Sequence, residues 1–410
     1  KLRILREKFG DRSIFYKKTE IYFKKLVLLD QLVSKIQTVY AEDFINRAVL
    51  KYQIKDFDGS ISDLTEAIRL NPKHTLAYHK RGYAKRDKRD FEGAINDYDE
   101  AIRLNPQYAE AYNNRGIAKD EKGDRDGAIS DFTKSINFNS QCAEYYSNRG
   151  LTKFNKEDRD GAIMDYNEAI RLNPQYAEAY NNRGITKRDK GDRDGAISDF
   201  TQAIQINSHL METYNNRGLL KDENGDRDGA ISDFTQAVQI NPQYALAYYN
   251  RGVTKYKKGD RDGAVSDFTE ALRLNPHLYQ AYYNRGVAKI DRRDRAGAIF
   301  DFTEALRLNS QVPEPYMNRG LAKNENGDRE GAIKDLENGL KLKIDKKTTQ
   351  YLIDLLKQKS REQWLKKDWN GVKETFLKIK RYLPITDPQQ KQLEEKLQEL
   401  KKLLQAQEKK

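Results

Sequence analysis

Cysteine is almost absent from this chain: Cys142 stands alone among 410 residues, which excludes an internal disulfide framework and suits a reducing cytosol. Histidine numbers four, with none beside a second ligand candidate at metal spacing, so no metal, cofactor or catalytic residue is expected. Long hydrophobic runs are missing too. The longest candidate, Leu26 to Leu29, is held between Lys25 and Asp30, far short of the roughly 18 apolar residues of a membrane span. No signal peptide is visible, so export is unsupported and a cytoplasmic location away from the membrane is the expectation. The first residue is Lys1 rather than Met, leaving open a segment, or a whole catalytic domain, before it. Hydrophobic residues make up only 37% and charged residues 34%, a balance unlike that of two or three ordinary globular domains. Yet 25 Tyr and 15 Phe are too many aromatics for a disordered chain.

The net charge of +12 suggests a nucleic-acid partner until it is divided along the chain. Residues 1–40 carry 10 basic and 4 acidic groups, and residues 347–410 carry 16 and 9. The 306 residues between them hold 49 and 50. The body is neutral and the ends are basic. Weak nucleic-acid contact is therefore expected at the ends only.

What the sequence has in abundance is repetition. Arg-Gly recurs at Arg81-Gly82, Arg115-Gly116, Arg149-Gly150, Arg183-Gly184, Arg217-Gly218, Arg251-Gly252, Arg285-Gly286 and Arg319-Gly320, always 34 residues apart, with Arg47-Ala48 one period earlier. Nine units starting at 41, 75, 109, 143, 177, 211, 245, 279 and 313 run to Lys346 without a gap. The unit Ala109–Cys142 predicts two helices. Ala128, Ile129, Phe132, Ser135 and Ile136 form one apolar stripe, and Tyr112 and Gly116 share a face in the first half. Gly123-Asp124 breaks the pair, with Asp124 placed to cap the second helix. Asn-Pro, as in Asn105-Pro106 and Asn173-Pro174, is expected to end it. Helices this short are marginal alone, so stability must come from stacking.

An aromatic at position 4 of each unit, Gly at 8, Ala at 20, Phe or Tyr at 24, Ala at 27 and Pro at 32 resemble the tetratricopeptide repeat signature. In the unit from 177 these are Tyr180, Gly184, Ala196, Phe200 and Ala203, with Ser208 in place of proline. The resemblance covers 41–346 and implies an all-α solenoid, a right-handed superhelix whose first helices line a protein-binding groove. A diverged tenth repeat is expected within 347–386, starting at Ile353 after a linker Lys347–Leu352. A capping helix should fill 387–410, along Leu393, Leu397, Leu400 and Leu404. Residues 1–40 read as a basic helical cap.

Arg at position 7, Lys at 11, Asp at 16 and Asp at 23 hardly vary (Arg115, Lys119, Asp124 and Asp131 in the third unit). The family usually has apolar residues at 7 and 11. Helical phase turns these charges away from positions 9 and 13, so they are expected to form an internal ion-pair ladder rather than a phosphate-tracking stripe. Positions 2, 5, 6, 9, 12 and 13 share the opposite face. Position 6 is Asn114, Asn148, Asn182, Asn216, Asn250, Asn284 and Asn318, amides that can pair with the backbone of an extended peptide. This ladder resembles that of the O-linked N-acetylglucosamine transferases, although no segment here reads as a transferase domain. The other reading keeps the amides inside the scaffold. Tyr249 and Tyr283 are the expected aromatic anchors, and Glu110, Glu212 and Glu223 belong to an acidic rim. The clamp with which chaperone-binding family members hold acidic tails needs Lys at positions 2 and 5 and Asn at 9, and these are absent. The function expected is a non-enzymatic scaffold that binds a basic extended or helical protein segment, as one part of a larger bacterial assembly. The alternatives are a nucleic-acid-associated subunit and a sensor arm of a larger effector. Oligomeric state is not readable.

Overall fold

The computed structural model describes residues 22, 24, 25, 41–384 and 387–408. The helical cap expected over residues 1–40 thus lies almost wholly outside the described residues. Between Ala41 and Glu408 the described residues form twenty-one α-helices and no strand. The chain divides into two compact units, Lys1–Ser208 and His209–Lys410.

In the first unit the helices are α1 (Ala41–Gln53), α2 (Phe57–Leu70), α3 (Thr75–Asp87), α4 (Phe91–Leu104), α5 (Ala109–Glu121), α6 (Arg125–Phe138), α7 (Ala143–Asn155), α8 (Arg159–Leu172), α9 (Ala177–Asp189) and α10 (Arg193–Ile206). The second unit begins with α11 (Met211–Glu223), α12 (Arg227–Ile240), α13 (Ala245–Lys258), α14 (Arg261–Leu274), α15 (Tyr279–Asp291) and α16 (Arg295–Leu308). It continues with α17 (Pro313–Glu325), α18 (Arg329–Leu342), α19 (Lys346–Leu365), α20 (Trp369–Tyr382) and α21 (Pro388–Glu408). From α1 to α20, odd helices are the first helices of successive pairs and even helices the second, and α21 follows the last pair alone. Within each unit every first helix packs on its own second helix, and that helix packs on the next first helix, which makes an α-solenoid.

Local chemistry sets each hairpin. Asp124 accepts from Gly127 N–H at 2.9 Å and so caps α6, as an aspartate does at the same position of α2, α4, α8, α10, α12, α14, α16, α18 and α20. The residue just before the capping aspartate is left-handed: Gly123, Gly191, Gly225, Gly259 and Gly327, but also Lys55, Arg89, Glu157, Arg293 and Lys367. Side chains other than glycine are strained there. From α2 to α16 the second helices end the same way with or without proline, at an asparagine C-cap, whereas the C-cap is Lys343 in α18 and Leu383 in α20. α6 stops at Phe138 although Ser140 follows, because Asn139 Oδ1 accepts from Gln141 N–H at 3.2 Å. The asparagine, not the proline emphasised by the sequence reading, is the common stop.

Packing then fixes the pair. A Cβ on Gly116 would lie 2.8 Å from Phe132 Cε1, so glycine at position 8 admits the ring at position 24. Phe132, Phe200, Phe234, Phe268 and Phe302 are at most 1% exposed. Each contributes about 1.5–3 kcal/mol by burial. In the first repeat the exchange is reciprocal, Ala48 opposite the smaller Leu64.

Residues 347–352, expected as a linker, are helical. Asp345 caps α19 by accepting from Thr348 N–H at 2.7 Å, and Leu352 is fully buried. The insertion lengthens a first helix rather than separating two domains. On α21, Leu393 and Leu400 join the core of the last helices, with Leu397 and Leu404 partly buried against it.

Candidate functional site

The invariant charges are scaffold. Arg115 grips Asp131 with two bonds, Nε to Oδ2 at 2.8 Å and Nη2 to Oδ1 at 2.6 Å, and Lys119 reaches Oδ2 at 2.8 Å. The same triad closes on Asp63, Asp97, Asp165, Asp199, Asp233, Asp267, Asp301 and Asp335. These aspartates are buried, so the planar guanidinium fork and the second cation are what make the buried charge tolerable. Arginine also ties neighbours together within a unit. Arg149 Nη1 donates to Thr133 Oγ1 of the preceding repeat at 3.1 Å, and Arg285 Nη1 to Thr269 Oγ1 at 3.1 Å. Its guanidinium carbon lies 5.3 Å from the Tyr112 ring centroid in Arg115, a contact repeated at position 4 throughout. No phosphate-tracking stripe is left.

The opposite face of the first helices carries the amides, and most of them are engaged. Asn148 donates to Asn113 Oδ1 at 3.0 Å and Asn250 to Asn215 Oδ1 at 2.8 Å, each one repeat back. Asn284 donates to the Tyr249 hydroxyl at 3.0 Å and Asn318 to that of Tyr283 at 3.1 Å. Asn114 lies 2.8 Å from His79 Nε2, whose Nδ1 faces the Tyr108 hydroxyl at 3.1 Å. Asn182 accepts from Asn181 at 3.3 Å within its own repeat, and Asn216 is half-buried on α11. Asn114 and Asn250 are under a tenth exposed. Position 6 thus stitches repeat to repeat through position 5. Asn148, Asn250, Asn284 and Asn318 each bond through one N–H, which leaves the oxygen and the second N–H as further bonding capacity.

Tyr249 and Tyr283 are half-buried with rings 5.9 Å and 6.0 Å from Phe268 and Phe302. They are rigid surfaces whose hydroxyls are already acceptors. His79, at position 5 of the second repeat, is buried, and burial followed by Lys80 and Arg86 lowers its pKa to about 4. It is a neutral rung.

The acidic rim is smaller than its composition. Asp87 pairs with Arg86 at 3.0 Å, Asp189 with Arg188 at 3.1 Å and Glu325 with Arg295 at 2.8 Å. Glu110, Glu212 and Glu223 are exposed. Burial and the Glu110 carboxylate push the Tyr108 hydroxyl up to about 12. Two carboxylates of this rim stand out. Asp120 Oδ1 and Asp222 Oδ1, both at position 12, are buried without a hydrogen-bond partner. Arg125 comes only to 3.9 Å of Asp120, and Lys257 satisfies the other oxygen of Asp222 at 2.5 Å. Desolvation raises the Asp120 pKa. The sequence places both acids on the rim, but the burial of these oxygens is not visible in it.

Each unit is a stack of helix hairpins with a charged scaffold side and a side of amides, aromatics and acids: an interaction scaffold by architecture. The sequence pattern of the tetratricopeptide repeat matches residues 82–123, 153–187 and 222–259, and again 245–278, 109–142 and 177–209. The chain is a tetratricopeptide repeat protein, one of a class of protein-interaction scaffolds whose members bind peptide or protein partners. Among solved structures it is similar to MamA, at 30% identity over 40% of this chain and 96% of that one, with a TM-score of 0.37. It is also similar to YrrB, a TPR protein with an unusual peptide-binding site, at 23% identity over 45% and 95%, with a TM-score of 0.39. The C-terminal part of a TPR repeat-containing protein from Cytophaga hutchinsonii aligns at 18% identity over 57% and 96%, with a TM-score of 0.49. No curated protein matches in sequence.

Among the described residues no three or more His, Cys, Asp or Glu side chains form a group that could hold a metal ion, and no helix is long and apolar enough to cross a membrane.

Proposed function

We propose that the regular repeats are a non-catalytic scaffold holding a protein segment rich in basic side chains against the first-helix face. The observation that carries this is the pair of buried carboxylate oxygens, Asp120 Oδ1 and Asp222 Oδ1, that lack a donor. An unsatisfied buried acceptor costs about 1–3 kcal/mol, more when charged, and a ligand ammonium or guanidinium would relieve it. Exposed Glu110, Glu212 and Glu223 add attraction that speeds encounter with a cationic segment and repels acidic ones. The free oxygens of Asn148, Asn250, Asn284 and Asn318 supply acceptors for backbone N–H groups, while Tyr249 and Tyr283 offer preordered aromatic surface. A cytoplasmic setting keeps Cys142 reduced.

The test is fluorescence anisotropy with a labelled twelve-residue peptide alternating Arg and Ser, set against its Glu analogue. Saturable, salt-sensitive binding of the Arg peptide, weakened at least tenfold by Asp120→Asn with Asp222→Asn, is expected. Equal binding of the Glu peptide, or undiminished affinity in the double variant, would overturn the reading.

A further inference from the structure

The last helix pair carries the opposite chemistry on the same face. In the 34-residue frame counted from Ile353, positions 5 and 9, elsewhere mostly uncharged, are Lys357 and Arg361. Positions 12 and 13, where α5 and α11 have Asp120-Glu121 and Asp222-Glu223, are Trp364 and Leu365. Acids have become large apolar groups, and neutral residues have become cations. These four side chains edge a cleft of about 810 Å³ bounded by α19, the end of α20 and α21. Its floor is apolar: Phe376, Ile379 and Leu393 are each under a tenth exposed. Leu365 at its edge is 81% exposed, an unusual position for a leucine beside an apolar floor.

The rim is cationic. Lys357 donates to Gln389 Oε1 at 2.7 Å, bridging α19 and α21. Arg361 and Lys396, the other basic lining residues, have no ion-pair partner among the described residues, although nearby Lys359 and Lys380 are paired with Glu330 and Glu394. Glu399 is the acid in the lining. α21 packs on α20 and leaves room beside α19.

We infer that this cleft docks an acidic amphipathic helix of a partner protein. An opening of several hundred Å³ exceeds one side chain and suits the apolar face of a short helix, read at i, i+3 or i+4, and i+7. Arg361 and Lys396 on opposite walls would meet carboxylates flanking that apolar stripe. A basic segment of the kind proposed for the regular repeats would be repelled here, so the two surfaces take partners of opposite charge.

The cleft carries its own reporter, because both tryptophans of the chain, Trp364 and Trp369, lie at it or beside it with ring centroids 5.0 Å apart. The full chain is titrated with three Trp-free sixteen-residue peptides: a Leu-striped amphipathic helix with Glu on its polar face, the same helix with Lys, and a scrambled Glu peptide of equal composition. Anionic phosphatidylserine vesicles form a fourth arm. The Glu helix alone should shift tryptophan emission saturably, and Arg361→Glu with Lys396→Glu should weaken it at least tenfold while the circular-dichroism melt is unchanged. Leu365→Asp, a milder change at the exposed edge, should weaken it as well. No emission change with the Glu helix, an equal response to the Lys or scrambled peptide, undiminished affinity in both variants, or a response to vesicles alone would each overturn the inference.

Discussion

The nine regular repeats and the tenth helix pair share one frame but differ in what holds it. Each regular repeat buries an Arg-Lys-Asp triad between its two helices. In the tenth, the positions of the lysine and the aspartate are Gln363 and Thr375, and Thr375 donates to Gln363 Oε1 at 2.8 Å. Capping and core are the same in both: Asp368 caps α20 through Gly371 N–H, and Phe376 takes the place of Phe234. A hairpin of this kind therefore does not require buried charge. In the regular repeats the arginine adds an arm to the preceding repeat, which a Gln-Thr pair cannot supply, and the triad is best understood as a device for stacking like on like. Where stacking ends, the charges move to the surface as Lys357, Arg361 and Lys396.

The comparison can be broken most forcefully at the core. Phe234→Ala should cost about 3–5 kcal/mol. Phe376→Ala should cost less, since that ring is 8% exposed and borders a cleft. Denaturant melts of the two variants decide this, and equal losses would show that the tenth pair is packed as tightly as the rest.

The triad comes next. Asp267→Ala leaves Arg251 and Lys255 without their shared carboxylate and should cost about 3–5 kcal/mol, whereas Thr375→Ala removes a neutral bond worth about 1 kcal/mol. A similar cost for both would mean the buried charge has no special structural role.

Acid separates the two units. His79 is held neutral, its pKa lowered from 6.5 to about 4. The unfolded chain binds its proton first, so this contribution is complete above about pH 6.5 and declines as pH falls towards 4, by about 3 kcal/mol in all. Hydrogen exchange should show α3 and α5 losing protection over that range. His79→Asn, which keeps an acceptor for Asn114, should remove the dependence.

The smallest effect concerns the left-handed turn position. Glu157→Gly should stabilise by about 1 kcal/mol by relieving its positive φ, while Gly123→Glu should destabilise by a like amount. Thermal melts of this pair test whether the turns of the regular repeats are interchangeable.

How much of this was legible in the sequence follows from the range of each interaction. Caps, turns and the ring-on-glycine contact span at most sixteen positions inside one repeat, so a 34-residue period displays the caps nine times and the ring on glycine seven times. The triad was legible for the same reason, as a helical phase that turned Arg115 and Lys119 toward Asp131. The amide rungs were not, because Asn148 meets Asn113 only when one repeat is stacked on the next. Burial of Asp120 and Asp222 is likewise a product of stacking. The start of α19 was misread as a linker although its capping aspartate, Asp345, stood in plain view, because the insertion broke the period on which every other assignment relied.

Carboxylates of the triad hold the fold, and those at position 12 are the ones proposed to meet a ligand. One experiment sets the two side by side in the second unit: Asp267→Asn and Asp222→Asn, each measured for unfolding free energy and for affinity to the Arg-Ser peptide. The account predicts a crossed result. Asp267→Asn should lower stability by several kcal/mol with affinity of the folded protein retained, and Asp222→Asn should leave stability within about 1 kcal/mol while weakening the peptide. Loss of affinity in Asp267→Asn together with unchanged binding in Asp222→Asn would contradict it.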